Sequence, residues 1–185
     1  MTANLPVSEV EIRILTADDA AAYSVCRLRA LERDPEAFSS SVEEHLKLSE
    51  EEVRSRLSSD PVNNCVFGAF VEGKLVGTAG FVRERGPKVR HKGRIWGVYL
   101  DGELRGRGVG SRLLQSVVQR ASELDGLERI TLSVASTQTA AIALYRSLGF
   151  TPWGREPKAL KVGNRYIDEE YMILQLGAKA DPSSG

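Results

Sequence analysis

The chain has 185 residues, of which 42% are hydrophobic and 27% are charged, and its 25 Lys and Arg residues balance its 25 Asp and Glu residues. This length suits one domain with a substantial core, and a net charge of zero gives no general attraction to nucleic acid or to an anionic membrane surface, so neither is an expected partner. No apolar run approaches the roughly 18 residues of a membrane span. The N-terminus shows no signal-peptide pattern, so we expect a cytoplasmic protein.

In chain order, the first half predicts a strand over 10–15, a helix over 16–34, a charged helix or a pair of turns over 43–58, and strands over 65–73, 74–85 and 94–101. Thr16 predicts the N-cap of the first helix, and Pro35 predicts its end. Glu72 and Gly73 predict a tight turn between two of the strands.

The second half predicts a helix that follows a glycine-rich loop and ends near Asp125 and Gly126, a strand over 129–135, a helix over 137–149, and one or more terminal strands that include 166–176. This order predicts a mixed α/β fold with an antiparallel first half. We expect one domain over residues 1–176 and a disordered tail over 177–185.

The chain has two cysteines and two histidines. Cys26 lies in a helical pattern and Cys65 opens an apolar strand, so we expect two buried free thiols. Neither is part of a Cys–His arrangement that would support a covalent acyl intermediate. His45 and His91 lack the spacing of metal ligands, and we expect no metal site.

The glycine-rich loop, residues 105–110, stands directly before a predicted helix. It does not fit the phosphate-binding P-loop pattern, and Ser111 or Leu113 takes the place of the third glycine of a dinucleotide motif. Its glycines allow the backbone amides of residues 106–111 to face one concavity at a helix N-terminus, where negative charge is favoured. The loop alone predicts either a phosphate site or a plain glycine turn.

Two ordered motifs resemble the GCN5-related N-acetyltransferase (GNAT) superfamily. Arg105-x-x-Gly108-x-Gly110 is similar to the acetyl-CoA signature Arg/Gln-x-x-Gly-x-Gly/Ala, and residues 140–150, AAIALYRSLGF, are similar to a second signature. The resemblance covers residues 10–176. It implies a GNAT fold, with a splayed, mostly antiparallel sheet between helices, and an N-acetyltransferase that uses acetyl-CoA.

The resemblance implies which residues hold acetyl-CoA: Val98, Tyr99, Leu100, Arg105, Gly106, Arg107, Gly108, Val109, Gly110, Ser111, Gln138 and Tyr145. The pantetheine arm would pair with the backbone of residues 98–100, and an N–H near Val98 would face the thioester carbonyl. Gln138 stands where family members often carry Asn, so the same amide would come from a longer side chain.

The resemblance also places Tyr145 at the position of the family's general acid. Because a phenol (pKa about 10) is a weaker acid than a thiol (about 8.5), we expect Tyr145 to donate a hydrogen bond to the departing sulfur rather than to transfer a proton fully. The general base is left open. The candidates are Glu84, Glu32, a water-mediated base, or an acceptor amine of low pKa.

The resemblance places the acceptor pocket against residues 27–40, the loop 84–92 and the C-terminal strands. Arg29 is a candidate to bind a carboxylate of the acceptor, and the alternative is that it is a solvated arginine on the helix. Glu32 is a further candidate contact, and Phe38 is a candidate wall of the pocket. The expected acceptor is a primary amine of a small molecule or peptide, which attacks the thioester directly.

Two other functions remain open. One is a non-catalytic acyl-CoA-binding module. The other is acetylation of a protein N-terminus or lysine, since the acidic segment 32–52 could suit a cationic acceptor. A homodimer is common in the family, but no residue of this chain selects it.

Overall fold

The computed structural model describes residues 10–177. Within this range seven strands form one sheet: β1 (Glu11–Ile14), β2 (Asn64–Val71), β3 (Lys74–Arg83), β4 (Lys92–Leu100), β5 (Arg129–Ala135), β6 (Thr151–Val162) and β7 (Arg165–Gln175). The helices are α1 (Ala20–Arg33), α2 (Val42–Leu46), α3 (Glu50–Ser58), α4 (Val109–Ser122) and α5 (Thr139–Ser147). Residues 178–185 of the predicted tail lie outside the described residues.

The sheet order is β1-β2-β3-β4-β5-β7-β6. Neighbouring strands are antiparallel except β4 and β5, which are parallel. The predicted mixed α/β fold with an antiparallel first half is confirmed. The sequence did not resolve β6 as a separate strand. Its pairing with β7 is interrupted at two places, between Pro152 and Gly154 and between Glu156 and Leu160, so it lacks the regular alternation that marks a strand.

Capping explains where the early helices begin. The Thr16 backbone N–H donates to the Asp19 carboxylate (2.8 Å), so the helical segment starts where Thr16 predicted, first as a 3₁₀ turn over Ala17–Asp19 and then as α1. The segment 43–58 forms two helices rather than one. The Ser49 hydroxyl accepts from the Glu52 N–H and starts α3 anew.

Helices cover both faces of the sheet. One buried cluster packs α4 against the central strands, with Leu113, Leu114 and Val117 fully buried. The other lies under α1 and α3. Cys65 belongs to the first cluster and Cys26 to the second, both as free thiols, as predicted. Burial raises the pKa of both thiols to about 11, so neither is a ready nucleophile.

A bulge in β4 separates β4 from β5. Gly97 and Val98 together stand opposite one residue of β3, and Gly97 has a φ of +62°, which a residue with a side chain rarely adopts. Pairing between β4 and β5 covers only Lys92–Arg94 against Arg129–Thr131. Beyond that point the two strands have no ladder pairs, which confirms the predicted splay and opens a cleft inside the sheet.

Candidate active site

A cleft of about 440 Å³ lies between β4 and β5 where the strands diverge. Its walls are residues 95–100 of β4, residues 132–135 of β5, the glycine-rich loop and the first two turns of α5. The β4 edge that faces β5 carries backbone N–H and C=O groups without strand partners beyond Arg94. An extended, amide-containing ligand could therefore pair with this edge as an added strand.

The glycine-rich loop forms one end of the cleft. Gly106 and Gly108 have φ values of +73° and +79°, and a Cβ built on either would meet no atom within 4 Å. Gly108 is the N-cap of α4, and the first helical bond runs from the Arg112 N–H to the Gly108 carbonyl (3.1 Å). The N–H groups of Val109, Gly110 and Ser111 are thus outside the helical ladder, and they are suited to an anion such as pyrophosphate.

The arginines of the loop differ in their contacts. Arg105 lines the cleft, but its Nε donates to the Leu100 carbonyl (2.9 Å) and its Nη2 forms an ion pair with Asp34. Arg107 does not line the cleft. The Val109 side chain is fully buried in the core, so only its backbone N–H can face a ligand. The structure therefore favours backbone groups over arginine side chains as the anion site.

The second motif brings two side chains to the cleft. Gln138 precedes α5 and lines the wall, and Tyr145 lines it two turns later. Tyr145 is only 5% exposed and packs edge-on against Phe150, with ring centroids 6.0 Å apart. Burial raises the pKa of its hydroxyl above the usual value. Tyr145 is thus a still weaker acid than a free phenol, and this favours hydrogen-bond donation over proton transfer.

A second cavity of about 660 Å³ opens under α1, α2 and α3. It shares Phe38, Trp96, Gly97 and Ser133 with the cleft between β4 and β5, so the two spaces meet at the β4 bulge. Trp96 lies across Gly80 of β3, where a Cβ would come within 2.4 Å of the indole. The charged residues that line this second cavity are Arg27, Arg56, Arg94, Glu44 and Glu169.

The structure brings one of the predicted acceptor residues to this junction and leaves two away from it. Phe38 lines both spaces. Arg29 lines neither cavity, because it forms an ion pair with Asp101 on another side of α1. Glu32 is exposed on α1 and lines neither cavity.

Glu84 lies in a separate depression of about 320 Å³. It follows the end of β3 that pairs with the start of β4, as Arg83 pairs with Gly93, whereas the cleft opens beside the last residues of β4. The placement of Glu84 and Glu32 therefore gives no support to either as the base.

Sequence reasoning missed Glu169, a half-buried carboxylate on β7 that lines the second cavity. It pairs with Ala135 across the β5–β7 ladder and accepts a hydrogen bond from Ser133. Burial and repulsion from Glu156 raise its pKa. In the sequence it stands within the acidic run Asp168–Glu170, which is typical of a solvated face, so no local signal distinguishes it.

None of the helices among residues 10–177 is both long and apolar enough to cross a membrane. In the same range, the His, Cys, Asp and Glu side chains form no group of three or more that could hold a metal ion.

Comparison with known proteins identifies the family. Residues 27–150 match the model of the acetyltransferase (GNAT) family. The chain is 35% identical over 79 residues to the L-methionine sulfoximine/L-methionine sulfone acetyltransferase of Pseudomonas aeruginosa, which covers 43% of this chain and 45% of that protein. The chain spans about half the length, or less, of the first curated relatives that it matches.

Solved structures show the same fold. An acetyltransferase of the GNAT family from Streptococcus pneumoniae has a TM-score of 0.81 at 25% identity, over 91% of this chain and 100% of that one. A GNAT superfamily phosphinothricin acetyltransferase from Sinorhizobium meliloti, in complex with acetyl-CoA, has a TM-score of 0.78 at 24% identity, over 96% and 95% of the two chains. The chain is therefore a member of the GNAT acetyltransferase family.

Proposed function

We propose that this protein transfers the acetyl group of acetyl-CoA to a primary amine of a small molecule or peptide, by direct attack within a ternary complex. The observation that carries the proposal is the meeting of two spaces at the β4 bulge. One space has an open strand edge and a helix N-terminus, and the other has charged and aromatic walls. Such a junction lets a donor and an acceptor reach each other without passing through solvent.

The residues of the cleft fit acetyl-CoA. The N–H groups of Val109, Gly110 and Ser111 would hold the pyrophosphate, and the open edge of β4 at residues 98–100 would pair with the pantetheine amides. The Gln138 amide would make a further contact with the arm. When bound, acetyl-CoA supplies the acetyl group as a reactive thioester.

The reaction forms a C–N bond and breaks a C–S bond, and the amine loses one proton. The N–H of Val98, inside the bulge, donates to the carbonyl oxygen as negative charge develops there. The Tyr145 hydroxyl donates to the departing sulfur. Glu169 accepts the proton of the amine, since its raised pKa makes it a stronger base than an ordinary carboxylate.

The test is release of free thiol from acetyl-CoA with a panel of primary amines, followed by mass spectrometry of the product. We expect thiol release that depends on the amine and an acetylated product 42 Da heavier, the mass of one acetyl group less one hydrogen. Tight CoA binding by calorimetry with no turnover on any amine would instead identify an acyl-CoA-binding module. Turnover confined to peptides would point to a protein acceptor.

A further inference from the structure

Arg27 lines the second cavity, which the proposed function assigns to the acceptor, and it is held there by two contacts. Its guanidinium stacks over the Phe38 ring, 4.3 Å from the centroid, and its Nη2 donates to the Ser40 hydroxyl at 2.6 Å. Its Nη1 is buried and has no hydrogen-bond partner among the described residues. Because a fixed guanidinium loses little entropy when it binds an anion, this side chain is well prepared for a ligand.

In the part of the chain that the structure describes, no carboxylate forms an ion pair with Arg27. Its neighbours on α1, Arg29 and Arg33, both approach Asp101, whereas Arg27 has no ion pair within residues 10–177. Burial lowers its pKa, which is the direction expected of a cation removed from water without a counter-ion. An unpaired, desolvated charge is costly, and an anionic group on a bound ligand would relieve that cost.

Arg27 also lies beside the place where the two spaces meet. A Cβ built on Gly97 would come within 3.7 Å of the Arg27 Nη1. His45, which lines the same wall, has its pKa lowered by burial and by Arg27 and Arg56, so it brings little positive charge of its own. On the β7 side the cavity presents Glu169. The cavity therefore offers a buried cation and a separate carboxylate.

We propose that the acceptor is a small amine that also carries a carboxylate, such as an amino acid, and that Arg27 binds this carboxylate while the amine faces the β4 bulge. This inference rests on the proposed acetyltransferase activity and narrows its substrate class. It replaces Arg29, the arginine first considered for this role, with an arginine two residues earlier on α1. A residue two positions away on a helix points to a different side, which is why one lines the cavity and the other does not.

The experiment uses matched acceptors that differ only in the carboxylate: the proteinogenic L-amino acids and the amines formed by their decarboxylation. Thiol release gives kcat/KM for each member of a pair. We expect the wild-type protein to prefer the amino acid of the best pair by at least about tenfold. Arg27→Gln should lower kcat/KM for that amino acid by about 10- to 100-fold, the range for loss of a charged hydrogen bond, and should change the value for the amine less than about threefold.

Two further variants separate a binding role from a structural one. Arg27→Lys keeps the charge and should restore part of the activity on the amino acid. Arg54→Gln, on α3, removes an arginine that lines neither cavity. It should leave kcat/KM unchanged for both the amino acid and the amine. Affinity for CoA, measured by calorimetry, should be the same in all four proteins, which excludes a general folding defect.

Equilibrium binding of the amino acid to the CoA-saturated protein tests the same contact without turnover, and Arg27→Gln should raise its Kd by about 10- to 100-fold. The inference would be overturned if the wild-type protein preferred the decarboxylated amines, or if Arg27→Gln lowered kcat/KM equally for the amino acid and the amine. Either result would leave the proposed acetyltransferase activity standing. Absence of turnover on every amine would overturn the proposed function instead. The binding measurement would then still decide whether Arg27 holds a carboxylate.

Discussion

Arg29 on α1 and Asp101 at the end of β4 form an ion pair in which their side chains are only 18% and 14% exposed. The second carboxylate oxygen of Asp101 accepts a hydrogen bond from the Tyr99 hydroxyl at 2.8 Å. The backbone of Asp101 donates to the Val76 carbonyl and accepts from the Leu104 N–H. The pair thus anchors α1 to the point where β4 leads into the glycine-rich loop.

Because removal of one partner leaves a mostly buried charge unpaired, Asp101→Asn should lower the free energy of unfolding by about 3 kcal/mol. Urea unfolding followed by circular dichroism measures this. The double variant Arg29→Met/Asp101→Asn should lose less free energy of unfolding than the two single variants lose together, since neither charge of the pair is then left uncompensated. Additive losses would show that the pair has no coupling energy.

The position of the glycine-rich loop at the N-terminus of α4 could be predicted from the sequence because its determinants are local. Gly108, Val109 and Gly110 are contiguous, and the helix that follows has a regular apolar stripe. The second motif placed Tyr145 at the cleft in the same way, because its spacing within α5 fixes the face on which it lies.

The acceptor side depends on contacts between distant segments, and there the sequence is a poor guide. Arg29 was predicted to contact the acceptor, but it pairs with Asp101, and Arg27 lines the cavity instead. The sequence does not show which side of α1 faces the sheet. Glu169 reaches the cavity through the pairing of β5 with β7, a register that no local pattern specifies. Glu84 lies at the wrong end of β3 for the cleft, which only the strand order reveals.

Substitutions of the loop glycines should weaken CoA binding for backbone reasons. Gly108→Val places a β-branched residue at a φ of +79°, which costs about 1–3 kcal/mol if the conformation is kept, so the loop should shift instead. We expect its Kd for CoA to rise about tenfold or more. Gly110→Val should act similarly, since its Cβ would lie 3.3 Å from Leu144 and its side chain would enter the cleft.

Calorimetry with CoA measures these affinities, and two controls set the scale. Arg107→Ala should raise Kd less than either glycine variant, because Arg107 does not line the cleft. Gly163→Val introduces the same kind of strain at a φ of +60° in the β6–β7 turn, where it should leave Kd unchanged. A larger effect of Arg107→Ala would show that side-chain charge, rather than backbone, holds the pyrophosphate.

Tyr145→Phe tests the hydrogen bond to the departing sulfur. The ring is buried against Phe150, so the variant should keep its fold and its affinity for acetyl-CoA. We expect kcat to fall by more than about tenfold, because the lost donor acts only as charge develops on sulfur. Single-turnover measurements at saturating acetyl-CoA separate this step from product release. Equal rates in the two proteins would remove Tyr145 from the chemistry.

The pH dependence of kcat tests Glu169. A base must be deprotonated to act, so activity should rise as pH increases through the pKa of Glu169 and be lost below it. Burial and the nearby Glu156 place that pKa above the usual value of about 4.3 for a Glu. Glu169→Gln should remove this acidic limb and leave the limb set by deprotonation of the amine.

Glu170→Gln is the matched control, because alternation along β7 places it on the opposite face and it lines neither cavity. If the acidic limb persists in Glu169→Gln, the proton must instead leave through water, or the acceptor must bind as an amine that is already neutral.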